Sequence, residues 1–133
     1  MYQRTVLIVE DEPLIRMTLA DALEEEGYGV LEAETVLEAI AVLGHQHMDA
    51  VITDIDMPGA LSGLDLAEFV YRSMGSLPVI VTSGGREGAD CSLPEGTVFI
   101  PKPYPLACMI ELLVSMLVSS EAAKGLGTSV RVA

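Results

Sequence analysis

Three acids, a hydroxyl and a lysine are the residues whose types could do chemistry together: Glu10 with Asp11, then Asp54, Ser83 and Lys102. Three carboxylates gathered at one place repel one another, and the cluster is tolerable only if a cation enters and a Lys balances part of the charge. An all-oxygen donor set that leaves room for water and phosphate suits Mg²⁺, which is usually held by one or two carboxylates plus the phosphate itself. With a metal and Lys102 neutralising phosphoryl oxygens and Ser83 donating to a third, the Asp54 carboxylate could attack phosphorus in line. Each acid taken alone is better read as a helix cap or a solvated loop residue. The chemistry lies in all five meeting.

Short apolar runs punctuate the chain and supply the means of meeting. Val6-Leu7-Ile8-Val9, Ala50-Val51-Ile52-Thr53 and Val79-Ile80-Val81-Thr82 read as strands covered on both faces, with weaker strands at residues 28–31 and 98–100. Helical spacing separates them. Pro13 opens a first helix that Gly27 stops, Thr35 with Glu38 forms a capping box for a second, and Ser62 with Asp65 caps a third. Leu106, Met109, Ile110, Leu113, Met116 and Leu117 mark a last one. This alternation predicts an α/β fold: a doubly wound, five-stranded parallel sheet, flavodoxin-like, in three αβα layers with right-handed crossovers. Ligands in that architecture sit beyond the C-terminal strand ends, where Glu10, Asp11, Asp54, Ser83 and Lys102 all fall.

Residues 84–97 contain four glycines and Pro94, so a short or irregular fourth helix is expected there. Because ordering glycines costs the most entropy, this is also the segment that phosphorylation could order. Residues 1–120 are expected to form one domain, followed by a flexible C-terminal tail at 121–133, with fraying from Ser119 onward.

Composition excludes several functions. Half of the 133 residues are hydrophobic, which argues for a folded globule with an aliphatic core, as aromatics make up only 5%. The formal net charge of -13 would repel nucleic acid, and no Lys/Arg run offsets it, so no direct nucleic-acid contact is expected. No apolar run reaches the length of a bilayer span and the start lacks a signal-peptide core, so a cytoplasmic protein without membrane insertion is expected. Cys91 and Cys108 read as two ordinary thiols.

Val9-Glu10-Asp11-Glu12-Pro13, Asp54-Ile55-Asp56-Met57-Pro58-Gly59, residues 79–84 and Phe99-Ile100-Pro101-Lys102-Pro103-Tyr104 resemble the signature segments of response-regulator receiver domains, over about residues 5–118. The resemblance implies a stand-alone, chemotaxis-regulator-like domain of two-component signalling. In it Asp54 is the phosphoacceptor, Glu10 and Asp11 bind Mg²⁺ with Asp54, and the backbone carbonyl of Asp56 completes the metal shell. Lys102 contacts the phosphoryl group, and Ser83 (ahead of Thr82) and Phe99 act as switch residues. A cis peptide between Lys102 and Pro103 also follows, X-Pro being where cis costs least. The implied partners are a histidine kinase or histidine phosphotransfer protein, reached through the first helix and the loop after the fifth strand. The downstream protein target is left unknown. Output is expected through protein contacts or phosphorelay, with catalysis limited to the protein's own phosphorylation and dephosphorylation.

Two departures stand out. The loop from Asp54 to Gly63 is about one residue longer than the family spacing, and the compressed, glycine-rich stretch before Phe99 questions the usual dimer mode while leaving a homodimer open. The rival readings are a non-phosphorylated pseudo-receiver, which loss of an acid or the Lys would mark, and a haloacid-dehalogenase-like phosphatase. The second fits poorly, because Met57-Pro58 follows Asp54-Ile55-Asp56 where those enzymes continue differently. Gly84-Gly85-Arg86-Glu87-Gly88 lacks the GK[ST] of a phosphate loop, and His45-Gln46-His47 has no further ligand, so neither is read as a site.

Overall fold

The computed structural model describes residues 3–85 and 92–132, with side chains described through residue 121. Five parallel strands form one sheet: β1 (Thr5–Val9), β2 (Gly29–Ala33), β3 (Ala50–Asp54), β4 (Val79–Ser83) and β5 (Thr97–Pro101), in the order β2-β1-β3-β4-β5. Four helices are described: α1 (Pro13–Glu25), α2 (Val36–His45), α3 (Gly63–Met74) and α4 (Leu106–Val132).

Strand side chains alternate between faces, so each central strand divides its residues between two cores. Leu7, Val9, Val51, Val79 and Val81 pack with Val36 and Ala39 of α2 and with Leu66, Ala67 and Val70 of α3. Val6, Ile8, Ile52 and Ile80 pack on the other face with Leu19 and Leu23 of α1 and with Met109, Leu113 and Leu117 of α4. Burial of each Val, Leu, Ile or Met side chain among these is worth roughly 1.5–3 kcal/mol, which makes these two layers the main source of stability.

The caps follow the sequence with one variation. Ser62 and Asp65 form a complete capping box on α3. On α2 the Thr35 hydroxyl accepts the Glu38 N–H at 3.1 Å, but the Glu38 carboxylate accepts the N–H of Glu34, one residue before the cap. The second strand runs Gly29–Ala33 rather than 28–31, because its register is set by pairing with β1, from Thr5 against Gly29 to Val9 against Ala33.

Two expectations concern the far end of the chain. The short or irregular helix anticipated within 84–97 falls largely on residues 86–91, which lie outside the described residues; the described flanks, Gly84-Gly85 and residues 92–96, carry no helix. The backbone expected to fray from Ser119 continues helically to Val132. An ion pair between Arg4 and Glu121 ties the start of this extension to the strand side of the fold.

Candidate functional site

Strands β1, β3 and β5 each end by handing the next residue to a neighbouring strand, which fixes the backbone of the site. The Glu10 N–H donates to Ala33 O at 3.0 Å, Ile55 N–H to Thr82 O at 2.8 Å, and Lys102 N–H to Ser83 O at 2.9 Å. The ladder bonds therefore continue one residue beyond the strands and hold Glu10, Asp54 and Lys102 at one sheet edge.

The side chains then converge. Lys102 Nζ donates to Glu10 Oε1 at 2.7 Å and to Asp54 Oδ2 at 3.1 Å. Glu10 and Asp54 are 4% and 7% exposed, whereas Asp11 is exposed. Burial raises the Glu10 carboxyl above its ordinary value, against the lowering effect of its bond from Lys102. Burial likewise raises Asp54, again opposed by Lys102. Burial alone would lower the Lys102 ammonium, but its hydrogen bonds to Glu10 and Asp54 and their charges outweigh that and raise it.

Ligand oxygens of Glu10, Asp11 and Asp54 all lie within 4.8 Å of one another. Asp54 Oδ1 is buried and is the one such side-chain atom among the described residues without a hydrogen-bond partner. An orphaned carboxylate oxygen in low dielectric costs several kcal/mol unless a cation satisfies it. Three carboxylates and an unsatisfied oxygen fit a hard divalent ion, and receiver domains in general bind Mg²⁺.

Ser83 is fully buried, and its hydroxyl donates to Asp56 Oδ2 at 3.1 Å while accepting the Gly85 N–H at 3.0 Å. Phe99 is half-buried against the α2/α3 core, and Tyr104 packs against the α1/α4 core. The Lys102–Pro103 peptide is cis.

Two supporting residues escaped the sequence reading. A Cβ at Gly63 would collide with the Asp54 carbonyl, 2.8 Å from its carbon and 2.9 Å from Ile55 Cα, so only glycine lets α3 start this close to Asp54. Its signal was a glycine at the first position of a capped helix. Arg16 donates to the Glu10 carbonyl at 2.8 Å and pairs with Glu32 at 3.0 Å and Glu34 at 3.4 Å, tying the Glu10 backbone to the acids at the end of β2. A lone cation within an acidic first helix was the available hint.

Comparison with known proteins points the same way. The family model for "Response regulator receiver domain" matches residues 6–113. The transcriptional regulatory protein PdtaR of Mycobacterium tuberculosis is 36% identical over 118 residues, covering 84% of this chain and 57% of that protein. The sensor kinase CckA of Brucella abortus is 33% identical over 118 residues, covering 85% of this chain and 12% of the kinase. The chain thus spans little more than half of the first relative and less of the second. A CheY-like receiver domain protein from Methanospirillum hungatei superposes with a TM-score of 0.85 at 26% identity, covering 92% of this chain and 99% of that one. TrrA of Thermotoga maritima, solved in complex with Mg²⁺-BeF, gives a TM-score of 0.79 at 28% identity over 86% of this chain and 99% of its own. Such domains are signalling proteins, phosphorylated by sensor kinases, and among the described residues no helix is long and apolar enough to cross a membrane. Sheet order, acidic edge and sequence match agree: the chain belongs to the response regulator receiver domain family.

Proposed function

We propose that this chain accepts a phosphoryl group on Asp54 from a histidine kinase or histidine phosphotransfer protein, in a Mg²⁺-dependent reaction, and signals by conformational change or phosphorelay. The observation that carries the reading is the Asp54 carboxylate itself: Oδ2 is held by Lys102, while Oδ1 is buried without a partner beside Glu10 and Asp11.

Mg²⁺ would be held by Glu10, Asp11, Asp54 and the backbone carbonyl of Asp56, and would supply neutralisation of phosphoryl charge. An Asp54 oxygen forms the new O–P bond as the donor's P–N bond to imidazole breaks, and the imidazole leaves carrying a proton. Lys102 moves from its carboxylate partners to a phosphoryl oxygen, and Ser83 donates to another. Phe99 follows Ser83 as the second switch residue. Residues 1–120 act as the receiver unit, and the C-terminal stretch that prolongs the last helix is an appendage to it. The net charge of -13 and the absence of a membrane-length helix among the described residues support a cytoplasmic setting without direct nucleic-acid contact.

The test is incubation with Mg²⁺ and acetyl phosphate followed by intact-mass measurement, beside an Asp54→Ala control. Gain of one phosphoryl group by the Asp54 protein alone, lost with EDTA, is expected. Equal gain by the control would overturn the assignment of Asp54, and acceptance from neither acetyl phosphate nor a phosphorylated histidine protein would favour a pseudo-receiver.

A further inference from the structure

The Ser83 hydroxyl has a single hydrogen to donate. In the structure that hydrogen goes to Asp56 Oδ2, across a contact that joins the loop after β3 to the end of β4, 27 positions apart in sequence. The bond is charge-assisted, and so stronger than one between neutral groups. The same Ser83 oxygen accepts the Gly85 N–H, which fixes its orientation from the loop that follows β4. Ser83 is fully buried and Asp56 exposed, so the carboxylate reaches in from solvent to a buried hydroxyl.

A phosphoryl group on Asp54 presents anionic oxygens that want that one hydrogen. It cannot serve both acceptors. We infer that Asp56 is a positioning residue that holds the Ser83 hydroxyl away from the phosphoryl site, so that phosphoryl binding must first break the Ser83–Asp56 hydrogen bond. This inference rests on the proposed phosphorylation of Asp54 and names a regulator of that same site. Asp56 acts through its side chain here; its backbone carbonyl, proposed as a metal donor, is kept in every variant below.

Simple repulsion between the Asp56 carboxylate and the phosphoryl group would also oppose uptake, but that effect does not require the Ser83 hydroxyl. The two causes separate in a double-mutant cycle. Wild type, Asp56→Ala, Ser83→Ala and the double variant are titrated at saturating Mg²⁺ with beryllofluoride, a phosphoryl mimic, and binding is read from backbone amide NMR shifts. In parallel, phosphoryl gain from acetyl phosphate is followed by intact mass. The amide spectra also report whether each variant is folded, and Asp56→Asn provides a near-isosteric second substitution.

Loss of one charge-assisted hydrogen bond predicts that Asp56→Ala tightens beryllofluoride binding about tenfold, with Asp56→Asn between it and wild type. In the Ser83→Ala background the same change at Asp56 should alter binding by about twofold or less. An equal gain in both backgrounds would overturn the inference in favour of charge repulsion. Uptake by wild type with no response at Asp56 overturns this inference and leaves the Asp54 reading standing. Failure of all four proteins to bind the mimic or gain phosphate overturns both.

Discussion

Lys102 Nζ lies 2.7 Å from Glu10 Oε1, so the ammonium that follows the fifth strand neutralises an acid that follows the first. Its second bond, 3.1 Å to Asp54 Oδ2, makes Lys102 the counter-charge of both buried carboxylates. Removing one partner of a buried ion cluster leaves uncompensated charge and typically costs about 3–5 kcal/mol. Lys102→Met is therefore expected to lower the unfolding free energy from urea melts at pH 7 by an amount in that range, and Mg²⁺ should restore much of the loss. Unchanged stability would mean that Lys102 does not hold these acids in solution.

The raised carboxyls give the metal-free protein a defined pH response. Folded Asp54 and Glu10 bind protons more readily than their unfolded counterparts, whose values lie near 3.8 and 4.5. Between those values and the higher folded ones the native state carries more protons, so stability falls as pH rises through the window and is greater on its acidic side. The raised Lys102 ammonium likewise contributes stability that is lost as pH rises, but that loss begins only above 10.5, so its contribution is constant across this window. Unfolding in EDTA between pH 4 and pH 7 should show the slope, and Asp54→Asn should flatten it.

Metal binding should reverse that penalty. Mg²⁺ at one hundred times its Kd is expected to add about 2.7 kcal/mol to unfolding free energy. Asp11→Ala should abolish most of this gain with little effect on the metal-free protein, since Asp11 is exposed. Thermal melts with and without Mg²⁺ give the comparison; an undiminished gain in the variant would remove Asp11 from the metal site.

Gly63 is the least conspicuous requirement of the site. A methyl group there meets the Asp54 carbonyl, and overpacking of this kind costs roughly 1–3 kcal/mol because backbone must move. Gly63→Ala is expected to lower the urea midpoint accordingly and to slow phosphoryl gain at Asp54. Loss of stability without any change in phosphoryl gain would detach the close approach from the placement of Asp54.

The legibility of the sequence divides along physical lines. The central strands were readable because burial on both faces demands uninterrupted runs such as Val6-Leu7-Ile8-Val9, and parallel alternation then puts Glu10, Asp54, Ser83 and Lys102 on one edge. The edge strand Gly29–Ala33 was displaced in the reading because Glu32 breaks its apolar run and its limits come from pairing with β1. The extension of α4 was missed because small residues and glycines after Ser119 weaken the helical signal. Gly63 against Asp54 and the Ser83–Asp56 bond depend on approach between segments distant in sequence, which no local pattern encodes.

The most direct test of the central claim is chemical identification of the phosphorylated residue. Protein treated with Mg²⁺ and acetyl phosphate is reduced with borohydride, which converts an aspartyl phosphate to homoserine, and is then digested and sequenced by tandem mass spectrometry. Homoserine at position 54, absent when Mg²⁺ is withheld, is the predicted result. Homoserine at Asp11 or Asp56 instead, or at no position in protein that has gained phosphate, would contradict the account.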